Sequence, residues 1–257
     1  MALELQSQIA GDGKPLVILH GLFGSATNWR SMARLLATDY QVHAVDLRNH
    51  GASPWADTMT YAEMADDVRQ YIAQHRLPPV AMMGHSMGGK TAMALALTHP
   101  ERVERLIVVD IAPRRYTDGL SDYARAMGSI DLMAAVSRGE VQRQLQALLP
   151  DPAVAPFLVQ NLVPRNEHFD WRINLAAITA SMADLTDFPA DLHSRVFDKP
   201  TTAIVGGLSP YVPNGDMTPF LDMFPSITRE VIDGAAHWVH ADKPQAFLAA
   251  VQRALAR

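Results

Sequence analysis

The stretch Val80-Ala81-Met82-Met83-Gly84-His85-Ser86-Met87-Gly88-Gly89-Lys90-Thr91 decides how the rest of the chain is read. Val80 to Met83 is an apolar run of strand length, and helical spacing follows Ser86 as far as about Thr98. Between them lies Gly-x-Ser-x-Gly, which in a strand-turn-helix setting predicts a nucleophile elbow. A serine on so tight a turn is held in a strained backbone conformation, and glycines two residues to either side remove the Cβ atoms that would collide there. Its hydroxyl then stands at the sheet edge, where the helix N-terminus favours developing negative charge. Ser86 is the candidate nucleophile.

A second pattern occupies the same residues. Gly84, four residues, then Gly89-Lys90-Thr91 also satisfies the phosphate-cradling G-x-x-x-x-G-K-[ST], and Leu106 to Val109 ending in Asp110 resembles the Mg²⁺-holding strand of P-loop NTPases. Position argues against that reading, because a P-loop normally follows the first strand of its domain and at least two strand-helix units precede Gly84. Lys90 is expected to be a helix side chain reaching solvent.

Other apolar runs of strand length are Leu16 to Leu19, Val42 to Val45, Leu106 to Val109, Thr202 to Val205 and Arg229 to Ile232. They alternate with helical patterns, the clearest opened by a Thr60/Glu63 capping box with Met64, Val68, Tyr71 and Ile72 on one face. This alternation predicts an α/β fold, a mostly parallel twisted sheet flanked by helices. From Arg114 to about Arg195 the strand runs stop and helical patterns follow one another, punctuated by Pro150, Pro152, Pro156 and Pro164. Residues 1–113 and 196–257 are therefore expected to form the core, and 114–195 an all-helical cap over the carboxyl ends of the strands, where such sheets bind ligands.

Strand Leu16 to Leu19 runs into His20-Gly21-Leu22-Phe23-Gly24. Acyl transfer creates an oxyanion that two backbone N–H groups must hold, one after the nucleophile and one on the loop after an earlier strand. Met87 and Leu22 fit those two positions, Gly21 and Gly24 let the loop approach closely, and His20 is expected to brace it. The general base should follow the last strand, which points to His237 in Asp233-Gly234-Ala235-Ala236-His237-Trp238, with His240 as its nearest rival. The acid is open on these grounds: Asp110 ends the strand after the elbow helix, Asp216 is the alternative, and the slot after the next-to-last strand holds Ser209. Asp233 reads as turn chemistry.

At 257 residues one domain is expected, and a net charge of −5 with interspersed signs lacks the basic stripe that nucleic acid requires. No apolar stretch of about 18 residues is present, so no membrane partner is expected. The absence of cysteine excludes a disulfide framework and a thiolate nucleophile. Met1 to Ala10 alternates, with Glu4 inside it, and lacks the basic and apolar regions of a secretory signal; a cytoplasmic monomer or small homo-oligomer is expected.

The segments His20-Gly21-Leu22-Phe23-Gly24, Asp46-Leu47-Arg48-Asn49-His50-Gly51-Ala52-Ser53, Gly84-His85-Ser86-Met87-Gly88-Gly89, Val109-Asp110-Ile111-Ala112-Pro113, Gly207-Leu208-Ser209-Pro210-Tyr211-Val212 and Gly234-Ala235-Ala236-His237-Trp238-Val239-His240 together resemble the α/β-hydrolase superfamily, and within it the small bacterial serine esterases of the YbfF type. The resemblance implies a Ser86, Asp110, His237 triad with Ser209 as a fourth polar member near His237, and carboxylesterase or acyl-thioesterase activity. Such chemistry needs no metal or organic cofactor. Short to medium acyl esters are the expected small-molecule substrates, with apolar walls sought among Phe23, Met127, Met133, Phe157, Trp171 and Trp238. A serine at the elbow disfavours dehalogenases and epoxide hydrolases, which use aspartate there. A cofactor-free perhydrolase or a C–C hydrolase is the alternative on the same fold. A non-enzymatic binding protein would normally have lost a triad member, and none is lost.

Overall fold

The computed structural model describes residues 2–117, 119–166 and 168–256. Short extended runs form a seven-stranded sheet, β4 and β8 buried throughout and the edge strands partly exposed: β1 (Ser7–Ala10), β2 (Lys14–Leu19), β3 (Tyr40–Val45), β4 (Val80–His85), β5 (Val103–Val109), β8 (Thr201–Gly206) and β9 (Ile227–Ile232). Their spatial order is β1-β3-β2-β4-β5-β8-β9, with β1 antiparallel to β3 and every other pairing parallel. Strand β1 lies in the alternating N-terminal segment, whose Met1 is outside the described residues.

Interior strands are buried on both faces, as a parallel sheet covered by helices requires. Val17, Leu19, Met82, Leu106, Val108 and Ala203 point to one core, shared with α2 (Tyr61–Gln74) and α3 (Met87–Thr98). Leu16, Ile18, Ala81, Met83, Ile107 and Ile204 point to the other, shared with α1 (Arg30–Leu36) and α10 (Pro244–Ala256). Helix α2 starts as its sequence requires: Thr60 Oγ1 accepts the Glu63 N–H, and the Glu63 carboxylate accepts the Thr60 N–H.

Register fixes where the site forms. Leu19 pairs with Gly84, His85 with Val109, Val109 with Ile204 and Gly206 with Ile232, so five parallel strands run in step and end at the same edge of the sheet. Their loops leave one edge of the sheet, around the switch between β2 and β4 where such folds bind ligands. Two glycines let the elbow close. A Cβ on Gly84 would stand 2.1 Å from the Gly88 carbonyl oxygen, and one on Gly88 would stand 2.5 Å from those of Leu19 and His20.

Between β5 and β8 the chain leaves the sheet through α4 (Leu120–Ser129), α5 (Arg138–Leu148), α6 (Ala155–Val159), β6 (Leu162–Arg165), β7 (His168–Trp171), α7 (Leu175–Ala180) and α8 (Met182–Thr186). The expectation of an all-helical segment is corrected here, since β6 and β7 pair antiparallel. Pro164 hides the strand in the sequence; a two-stranded ribbon, all edge, tolerates it. The short α9 (Val239–Asp242) precedes α10.

Candidate active site

Ser86 sits between β4 and α3 with φ 53° and ψ −121°, a left-handed backbone that a side chain adopts only when its surroundings force it. Its N–H donates to the Val109 carbonyl at 3.0 Å, which ties the elbow to the end of β5. Asp110, the next residue on that strand, is also left-handed (φ 52°) and completely buried. Three donors meet its carboxylate. Gly206 N–H donates to Oδ1 at 2.9 Å, Ser209 Oγ donates to Oδ2, and His237 Nδ1 lies 2.7 Å from the same Oδ2. A buried carboxylate only accepts, so the imidazole carries its proton on Nδ1 and presents the Nε2 lone pair on its other side.

The His237 ring is held on several sides. Tyr211 stacks on it at 3.9 Å between centroids and 19° between planes. His85 donates from Nε2 to the His237 carbonyl at 2.9 Å, and the two imidazole centroids are 4.6 Å apart. The residue preceding the elbow serine thus grips the loop that carries the imidazole. Burial, then the nearby His237 and His240, hold His85 well below the ordinary histidine range, so it stays neutral. Sequence reasoning gave His85 no role, because only a contact 152 residues away reveals one.

The turn His20-Gly21-Leu22-Phe23-Gly24 is closed by Gly24 N–H donating to Gly21 O at 3.0 Å. His20 Nε2 accepts the Leu47 N–H at 3.0 Å, so the proton is on Nδ1, which donates to Gly21 O at 2.8 Å. His20 braces the loop, as expected. Across a trans peptide the Leu22 N–H points opposite to that anchored carbonyl. Leu22, Ser86 and Met87 line one cavity of about 250 Å³, and among the described residues neither the Leu22 nor the Met87 N–H has a protein acceptor.

The rival assignments separate in space. His240 stacks on Trp29 at 4.4 Å with its Nδ1 buried and unpartnered, and burial pushes its pKa down to about 4. Asp216 is exposed and accepts the Thr218 N–H. Asp233 is also exposed.

The expected apolar walls are largely corrected. Tyr61, Ile111, Tyr116, Leu120, Tyr123, Leu185 and Tyr211 line the cavity, whereas Phe23, Met127, Met133, Phe157, Trp171 and Trp238 do not. Met127 and Trp171 are core of the inserted segment, joined by Trp171 Nε1–H donating to Met127 O at 3.2 Å. Phe157 and Trp238 pack on each other at 5.5 Å, Phe23 is buried beneath its turn, and Met133 is 71% exposed. Apolar character marked at least partial burial in all of these but Met133, and burial alone does not say against which surface.

Lys90 overturns the expectation that it reaches solvent. It is 1% exposed, and Nζ donates to the carbonyls of Thr186, the last residue of α8, at 3.1 Å and of Asp187, its C-cap, at 2.7 Å, lying 4.9 Å from the Tyr116 ring centroid. Burial pushes its pKa down to about 7. Two backbone carbonyls occupy the ammonium that a P-loop would turn toward phosphate.

A family model described as the alpha/beta hydrolase fold matches residues 14–244. The chain is 34% identical over 259 residues to esterase YbfF of Escherichia coli (strain K12), with 99% of each chain covered. It is 41% identical over 244 residues to the sn-1-specific diacylglycerol lipase ABHD11 of Xenopus tropicalis, covering 92% of this chain and 76% of the relative. A solved marine microorganism esterase superposes with a TM-score of 0.93 at 35% identity, covering 98% and 99% of the two chains.

Proposed function

The chain belongs to the alpha/beta hydrolase fold family as an esterase-type hydrolase, and from that premise we propose that it cleaves short to medium acyl esters, thioesters included, through an acyl-enzyme on Ser86. His237 Nε2 takes the Ser86 proton while the serine oxygen attacks the acyl carbonyl. The Leu22 and Met87 N–H groups hold the oxyanion. Asp110 keeps the imidazole in the tautomer that leaves Nε2 free and stabilises the imidazolium that forms. That imidazolium protonates the departing alcohol or thiol. Water, activated by the same nitrogen, then releases the acid.

The observation that carries this reading is the 2.7 Å contact of His237 Nδ1 with a fully buried Asp110, whose preceding residue, Val109, accepts the N–H of the left-handed Ser86. Acyl length is expected to be limited by the cavity of about 250 Å³ that Ser86 lines. We assign residues 114–195 as the cap, because cavity residues Tyr116, Leu120, Tyr123, Leu185 and Thr186 all come from it. The test combines a fluorophosphonate probe with p-nitrophenyl esters of increasing chain length. The expected result is an adduct on Ser86 and a kcat/KM that falls once the acyl chain outgrows the cavity. An unlabelled serine with no ester turnover would end the proposal, and nucleotide binding in its place would revive the P-loop.

A further inference from the structure

The loop that offers the Leu22 N–H is not held by the core alone. Phe23 stands at the third position of the Gly21 to Gly24 turn with φ 60°, where turns of that sense normally carry glycine. Both of its backbone polar groups are pinned. Its N–H donates to His50 Nε2 at 3.2 Å, and its carbonyl accepts from Asn161 Nδ2 at 2.7 Å. His50 belongs to the core, and its Nδ1 donates to Arg48 O at 2.9 Å. Asn161 comes from the inserted segment, 138 residues away, and is 2% exposed.

The neighbouring loop repeats the arrangement. Asn49 is left-handed (φ 65°), and its carbonyl accepts the Asn174 N–H of the inserted segment at 3.0 Å. Asn174 Nδ2 also donates to Asn49 Oδ1 at 3.2 Å. Two strained residues of the core are thus each gripped by an asparagine of the insertion.

We propose that Asn161 is a positioning residue through which the seated insertion assembles the oxyanion hole, an inference that rests on the Leu22 N–H being one of its donors. A strained φ persists only while its surroundings over-determine it. With the Asn161 amide withdrawn, Phe23 O is a buried acceptor without that partner, and the turn relaxes toward negative φ. The Leu22–Phe23 peptide then rotates, its bond to His50 breaks, and Leu22 shifts in the cavity wall. Oxyanion stabilisation is thereby coupled to closure of the insertion over substrate.

The test is Asn161→Leu, close to isosteric and without a donor, assayed for ester turnover and for affinity toward a trifluoromethyl ketone, whose tetrahedral adduct occupies the hole. Removing an oxyanion donor costs about 10²- to 10³-fold in turnover, so partial displacement should lower kcat by about 10- to 100-fold. KM should move less than about threefold, and ketone affinity should fall in proportion to kcat. Gln160→Ala removes only the exposed Asn28 Nδ2 to Gln160 Oε1 bond between the same two regions and should leave all three unchanged. If Asn161→Leu fails to fold, Asn161→Asp keeps the shape, sets an acceptor against Phe23 O and carries the same expectation. Unchanged kcat, or a loss of turnover with undiminished ketone affinity, overturns the inference. Wild-type protein that forms no ketone adduct overturns instead the assignment of the oxyanion hole.

Discussion

Asp110→Asn isolates the tautomer argument, because the substituted side chain has the same shape and only its hydrogen-bonding changes. Oδ1 of Asp110 accepts from Gly206 N–H, and Oδ2 accepts from both His237 Nδ1 and Ser209 Oγ. An asparagine can satisfy one side only. With its oxygen toward Gly206, its NH₂ faces His237, which must then accept on Nδ1 and carry its proton on Nε2, where the serine proton has to go. With its oxygen toward His237, the NH₂ opposes the Gly206 N–H in a fully buried site, at a cost of about 1–3 kcal/mol. The first arrangement avoids that clash, so the inactive tautomer is the favoured one. A wrong tautomer of this kind lowers turnover by about 10⁴, equivalent to about 5.5 kcal/mol of transition-state stabilisation. The assay is steady-state hydrolysis of a short p-nitrophenyl ester, with the melting temperature measured alongside. The expected result is that loss in kcat, little change in KM and a fold that survives. A variant within tenfold of wild-type kcat would refute the reasoning and return the acid to another residue.

Gly88→Ala should destabilise the fold despite the better helix propensity of alanine. Its Cβ would meet the Leu19 and His20 carbonyl oxygens at 2.5 Å, backbone that cannot step aside, so a loss of at least about 1–3 kcal/mol is expected; an unaltered melting temperature would contradict the packing argument. Acid should unfold the protein through its buried imidazoles. Burial holds His20, His43 and His240 at about 4 and His50 at about 3, whereas an unfolded chain protonates them near 6.5. The unfolded state therefore binds more protons between these values, and the stability present above pH 6.5 is lost as the pH falls through the window. At pH 5 the difference is about four protons, a slope of about 5 kcal/mol per pH unit. Urea melts at pH 7, 6 and 5 measure it, and a flat series would show that these rings are not held neutral.

What the sequence discloses follows the range of the interactions involved. The elbow is legible because two glycines and a strand-turn-helix change of period are local, and His237 because it follows the last strand. The choice between Asp110 and Asp216 was open from spacing, since no local pattern says which strand ends stand beside each other; the register of β4, β5 and β8 does. Lys90, His85 and Asn161 were misread or unnoticed for one reason. Their partners lie 96, 152 and 138 residues away, and nothing next to them in the chain marks the contact.

The pairing of Asp110 with His237 spans 127 residues and waits on β9, an edge strand of the sheet and the last of its strands to be synthesised. A ribosome makes the elbow long before it makes the imidazole. Throughout that interval the serine is an ordinary alcohol, with no neighbour to strip its proton. On the proposed mechanism, reactivity switches on only as the sheet is finished, and a half-made chain has no base with which to attack the esters around it.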